Sequence, residues 1–187
     1  MTSVQFKNSS HPRDPEIRSA FQIAMPINVM HTTVHLHDID HLYRSHQSYS
    51  ASELVYQADY PWASSFAMGH PIVAWHCRPD WSNEQKKRFI NDAWRGGYLG
   101  TYIVNSWHQV VDGSYEPYSN LLIDGQKRLT ALEHYFQDRF AVKDSSGNLR
   151  YWSELPNSER RRFLAIPFIR VTMHAPDEET LWALRRE

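Results

Sequence analysis

Cysteine is almost absent from this chain. The single Cys77 excludes an internal disulfide framework and fits a reducing compartment, so a cytoplasmic protein is expected. Excess charge is also missing. Twenty Lys and Arg against twenty-one Asp and Glu leave a net charge of -1, so no bulk basic field advertises nucleic acid. Any such contact would need a local patch. No apolar run approaches the roughly 18 residues of a membrane span, and no membrane partner is expected. The polar opening "MTSVQFKNSSHPRDPEIRS" has no signal-peptide apolar region.

Aromatics, by contrast, are abundant, with seven Trp, ten Tyr and eight Phe. That load fills a core, and it also suits stacking on bases. A length of 187 residues predicts one domain with a substantial core. Residues 1–20, with Pro12 and Pro15, read as a loose polar arm, and 21–187 as a single domain.

Periodicity sets the expected elements. A helix is expected around "SASELVYQADYPWASSFAMG", capped by Ser50 or Ser52 and stopped near Pro61, then a buried strand at "PIVAW". "SNEQKKRFINDAWRGG" is a helix with a Ser82/Gln85 capping box, a stripe of Phe89, Ile90, Ala93 and Trp94, and a Gly96-Gly97 stop. "TYIVNSW" and "YSNLLI" pair as a hairpin, then a helix runs from about Gln126 to Phe140. "KDSSGN" is a turn. A short helix starts at Ser158, then come the strand "PFIRVTM" and a last helix capped by Asp177. The hairpin argues against a purely parallel sheet, so the fold class is mixed α/β.

The most informative stretch is "LLIDGQKRLTALEHYF", where a strand runs into a helix at Asp124-Gly125. A helix N-terminus offers unpaired N–H groups and partial positive charge. A glycine lets a phosphate approach the backbone. Arg128 in the first turn can reach the same anion, with Lys127 as a second cation. Asp124 has two readings on spacing alone: an N-cap, or a Mg²⁺ ligand or base.

Two histidine-bearing stretches add candidates. "HTTVHLHDIDHLYRSH" holds His31, His35, His37, His41 and His46 with Asp38 and Asp40. On a helix, His37 and His41 would share a face, as would His31 and His35, which allows a metal site beside the plainer surface or core reading. His76 and Cys77 lie beside Arg78; Cys77 reads as a small buried residue at a strand end or as a thiol activated by a nearby cation. "KKR" at 86–88 and "RRR" at 160–162 are the dense basic clusters, each a solvated helix face or a phosphate contact. Trp81 is the best-placed ring to stack on a base.

The Asp124-Gly125 stretch resembles the "IDGQQRLTTL" signature of the restriction-associated, GmrSD-type N-terminal domain of the ParB/sulfiredoxin-like superfamily. A second match lies in "PIVAWHCRPDWSNEQKKRFINDAWRGGYLGTYIV", at Pro71, Arg78, Pro79, Trp81, Ser82, Gln85, Ile90 and Gly97. The resemblance covers roughly 70–187. It implies a small mixed sheet flanked by helices. It also implies a phosphate loop of Asp124, Gly125, Gln126 and Arg128, with Arg78 as a second phosphate contact. The chain departs from the pattern at His76-Cys77, in place of Tyr-Gln, and at Lys127, in place of Gln.

In function, the resemblance implies a nucleotide-binding enzyme, a kinase-like phosphoryl transferase or NTPase, acting on DNA or modified DNA bases. NTP, ATP first, and Mg²⁺ at Asp124 are the expected cofactors. Asp124, Arg128 and Glu84 are the catalytic candidates; Gly125, Gln126, Lys127, Arg78 and Trp81 are the nucleotide contacts. The alternative is a non-catalytic nucleotide-sensing, DNA-binding switch, and a metal-dependent nuclease ranks third. The family's C-terminal nuclease is not in this sequence, which suggests a phage or mobile-element protein. Oligomeric state is left open by the sequence.

Overall fold

The computed structural model describes residues 32–75, 81–106, 108, 110, 113–175 and 177–185. The arm at 1–20, His31, and the His76-Cys77-Arg78 stretch lie outside the described residues.

Alternation builds the first element, β1 (Thr32–Asp38). Asp38 ends it by capping α1 (Ile39–Ala51), accepting from the His41 N–H at 3.1 Å. The helical reading of the histidines is thereby corrected. His35 and His37 sit two apart on a strand, on one face of it, and among the described residues of this stretch only His41 and His46 are helical. The β-branched and alternating run "TTVHLHD" outweighs the i, i+4 spacing. α2 (Glu53–Asp59) comes next, where expected, then a two-stranded ribbon of β2 (Ser65–Ala67) and β3 (His70–Ile72).

α3 (Asn83–Trp94) carries the full Ser82/Gln85 capping box and buries Ile90 and Ala93. β4 (Thr101–Asn105) and β5 (Leu122–Asp124) pair antiparallel, as expected for the hairpin. β5 is shorter than expected because Tyr118 and Asn120 take left-handed backbone, which ends the ladder. α4 (Gln126–Phe136) buries Leu129, Leu132 and Tyr135 at helical spacing. It stops before Phe140, since Asp138 is left-handed (φ 57°) and its carboxylate accepts from the Ser153 N–H. Phe140 still packs on Tyr135 at 5.9 Å, which is why the spacing reads through as helix.

β6 (Val142–Lys143) and β7 (Leu149–Arg150) bracket the turn at 144–148. Beyond them lie a 3₁₀ turn (Trp152–Glu154), α5 (Asn157–Leu164), β8 (Pro167–Met173) and α6 (Glu178–Arg185). Asp177 accepts from the Thr180 N–H at 2.8 Å at the start of α6. The result is a mixed α/β fold.

The main sheet runs β1-β8-β4-β5, with β8 antiparallel to β1 and parallel to β4. Lateral pairing puts His35, Arg170 and Tyr102 in one row. Tyr102, Val104 and Phe168 face the main core of Ile39, Leu42, Ile90, Leu129 and Leu132. The other face carries Ile103, Val171 and Met173. A smaller core of Val73, Leu121, Ala175 and Leu181 is joined by Trp62 and Trp75. Among the described residues no helix is long and apolar enough to cross a membrane.

Candidate functional site

The strand–helix junction is built by three local choices. Ile103 stands opposite Asp124 and Val104 opposite Leu122, so Ile123 is an extra residue that re-aims the end of β5. Gly125 then turns the chain at φ 97°. Its backbone lies so close to β4 that a Cβ there would sit 2.6 Å from the Tyr102 Cβ. Only glycine fits both demands. No side chain caps α4, whose first-turn residues Gln126 and Lys127 line a cavity.

Asp124 is therefore not the helix cap, one of its two sequence readings. Gly125 holds that position, and the Asp124 carboxylate instead meets Arg128 Nη2 at 2.9 Å. The same Nη2 donates to the Thr101 carbonyl at 2.5 Å. The guanidinium lies against Gly100, where a Cβ would be 3.4 Å from Nη1. Arg128 Nε is buried with no partner among the described residues. Arg128 thus ties the first turn of α4 to the start of β4.

The cavity has a volume of about 520 Å³, within the usual range for a small-molecule site. Asp124, Gly125, Gln126, Lys127 and Arg128 form its polar end. Trp75, Trp81, Ile103, Met173 and Leu181 make the rest of the wall. Trp81 leans on Phe89 at 5.6 Å, and Trp75 stacks on Trp182 at 4.7 Å. Both tryptophans are partly exposed. The Asp124 side chain is 61% exposed, which fits a carboxylate that could share a divalent cation with bound phosphates.

Six of the expected site residues therefore converge: Asp124, Gly125, Gln126, Lys127, Arg128 and Trp81. Arg78 lies outside the described residues. Glu84 does not join them. It is on the first turn of α3, 82% exposed and paired with Lys87 at 2.9 Å, because the capping box turns that helix end to solvent. Trp75, a core residue by sequence pattern, also lines the cavity; its place just ahead of Arg78 is the signal in the sequence that points there.

Among the described residues no three His, Cys, Asp or Glu side chains are grouped to hold an ion. The basic clusters are partly engaged inside the molecule. Lys86 Nζ lies 3.2 Å from His134 Nδ1, Arg162 pairs with Glu159 at 2.6 Å and lies over Trp94, and Arg160 donates to the Ser153 carbonyl. Burial and then the Lys86 and Arg139 cations push His134 down to about 4.

One carboxyl outside the cavity is strongly perturbed. Burial pushes Glu133 up to about 7, and its neighbour His46, 3.4 Å away, is held below the usual histidine value by burial. Burial thus disfavours the charged form of both partners, which works against an ion pair between α1 and α4 here.

The chain matches no family model, no curated protein and no solved structure.

Proposed function

We propose that this protein is a nucleotide-binding enzyme of ParB/sulfiredoxin-like kind, which hydrolyses an NTP or transfers its phosphoryl group to DNA or a modified DNA base. One observation carries the reading. A single cavity has an uncapped helix N-terminus with Asp124, Lys127 and Arg128 at one end and two partly exposed tryptophans in its wall. The residues match the requirements of phosphate at one end and base at the other.

In this reading the first-turn N–H groups of α4 and Lys127 hold the phosphates, and Trp81 or Trp75 stacks on the base. Phosphoryl transfer asks mainly for positioning and charge neutralisation. Mg²⁺, held by Asp124 and the nucleotide, would supply neutralising charge on the phosphates. In this reading Asp124 would also accept the proton of an attacking hydroxyl or water. ATP is the first nucleotide to test, DNA is the expected acceptor, and the cytoplasm of a host cell is the expected setting.

The internal Asp124–Arg128 pair favours a second reading as a switch. The two side chains already hold each other, so a phosphate that captured Arg128 would release Asp124 and loosen α4 from Thr101. A screen of each NTP with Mg²⁺, with and without DNA, separates the two. Diphosphate formation identifies the enzyme. Saturable binding with unchanged nucleotide identifies the switch. No binding of any NTP to the folded protein rejects both.

A further inference from the structure

The main-core face of the sheet holds a second polar cluster that the cavity does not use. Arg170 on β8 lies beside His35 on β1 and Tyr102 on β4. His37 and His41 stack edge-on at 4.1 Å, and His70 lies 5.9 Å from Tyr102. Exposure falls steadily inward. His41 is exposed, His35, His37 and Arg170 are partly buried, and His70 and Tyr102 are buried.

At the inner end three polar atoms are buried without partners among the described residues: Arg170 Nε, Tyr102 Oη and His70 Nε2. Such atoms are normally satisfied, and each unmet one is costly. Arg170 also has no ion pair among the described residues. Asn120 Oδ1 lies 3.1 Å from His70 Nδ1, which makes Nδ1 the protonated nitrogen and Nε2 a bare acceptor. Arg170 and Tyr102 are donors.

We propose that Arg170, His70, Tyr102, His37 and His41 form a binding site for a phosphate monoester, on the sheet face opposite the cavity. The mixed donor and acceptor set selects this chemistry. A carboxylate offers acceptors only. A phosphodiester has no proton to give and no free end to reach a buried floor. A phosphate monoester brings charged oxygens for Arg170 and Tyr102, and because its second pKa is near 6 a fraction of it keeps a P–OH for His70 Nε2 at neutral pH, which binding there would favour. Burial, with the Arg170 charge adding to it, also holds His37, His41 and His70 below the usual histidine value, so the imidazoles are neutral and the guanidinium is the charge an anion would meet. The site is independent of the nucleotide reading, since none of its residues lines the cavity.

Histidine ring NMR of the full chain at neutral pH and fixed ionic strength tests it. Inorganic phosphate should shift the His37, His41 and His70 signals saturably, and acetate should not. Arg170→Gln should weaken the effect at least ~10-fold, the scale of a lost charge-assisted hydrogen bond. His41→Ala at the exposed mouth should weaken it less and provides a variant that folds if Arg170→Gln does not. Lys127→Ala in the cavity should leave it unchanged, which separates this site from the nucleotide one. A 5′-phosphorylated oligonucleotide that reproduces the shifts, where its unphosphorylated twin does not, identifies a terminal phosphate as the source. Shifts with inorganic phosphate alone identify the free ion. Shifts that are absent, equal with acetate, or intact in Arg170→Gln overturn the proposal.

Discussion

Gly125 and Tyr102 are in contact through the space a side chain would need: a Cβ on Gly125 would lie 2.6 Å from the Tyr102 Cβ and 3.0 Å from its Cα. Backbone of β4 is on one side and the helix start on the other, so neither can yield cheaply. Gly125 is also at φ 97°. Gly125→Ala should destabilise the fold by about 2–4 kcal/mol, from left-handed strain together with overpacking. Chemical denaturation measures this, and a loss below about 0.5 kcal/mol would contradict the described junction.

Arg128→Ala should lower stability as well as nucleotide affinity. The sequence alone puts only the affinity at stake. The bonds to Thr101 and Asp124 add a structural cost of about 1.5–3 kcal/mol, the range for hydrogen bonds to charged groups. Arg128→Lys, which keeps the charge and loses the fork, should fall between. A stable Ala variant with normal NTP binding would remove Arg128 from both roles.

Asp124→Asn should leave the fold within about 1 kcal/mol, since an exposed ion pair contributes little and Asn can still accept from Arg128. Under the enzyme reading, turnover should fall by at least ~100-fold. Unchanged turnover would leave Asp124 as a partner of Arg128 alone.

Glu133 predicts a pH dependence of stability. Its folded value of about 7 lies above the ordinary carboxyl value, so the folded state holds the proton more tightly than the unfolded chain. The proton-linked stabilisation is complete below the unfolded value and is lost as pH rises through about 7. Wild-type stability should therefore drop by roughly 1–3 kcal/mol from this group between pH 5 and pH 8. The lowered His37, His41, His46, His70 and His134 act in the opposite sense, adding stability as pH rises toward the unfolded histidine value. The Glu133 contribution is therefore read as the difference between wild type and Glu133→Gln, which should fall by that amount between the two pH values, measured by denaturation. A difference that does not change with pH would place the cause elsewhere.

Local signals carry much of the architecture. The Ser82/Gln85 box, the stripe through Ile90 and Ala93, and the Asp177 cap are contacts within one turn, so the residues suffice to read them. The Asp124-Gly125 turn is legible as a junction, because a strand pattern gives way to a helix pattern there. What Asp124 does is not. Its partner Arg128 is only four residues on, but the choice between capping and pairing depends on Thr101, which draws the guanidinium into place. Glu84 misleads for the converse reason: a first-turn carboxylate looks the same in sequence whether it faces a cavity or solvent. The strand under the histidines is masked by their helix-compatible spacing, and its partner β8 is far along the chain.

The sheet order has a consequence for how this protein comes to be folded. β8 is the last strand in the sequence and stands between β1 and β4, with Asp38 opposite Pro167 at one edge and Asn105 opposite Met173 on the other side. A chain still on the ribosome can form α3 and the β4–β5 hairpin, but β1 has nothing to pair with until residues 167–173 emerge. Closure of such distant pairs is slow because a long loop must be ordered first. Folding is therefore expected to be late and cooperative, with Val34 and Leu36 on an unpaired strand during synthesis.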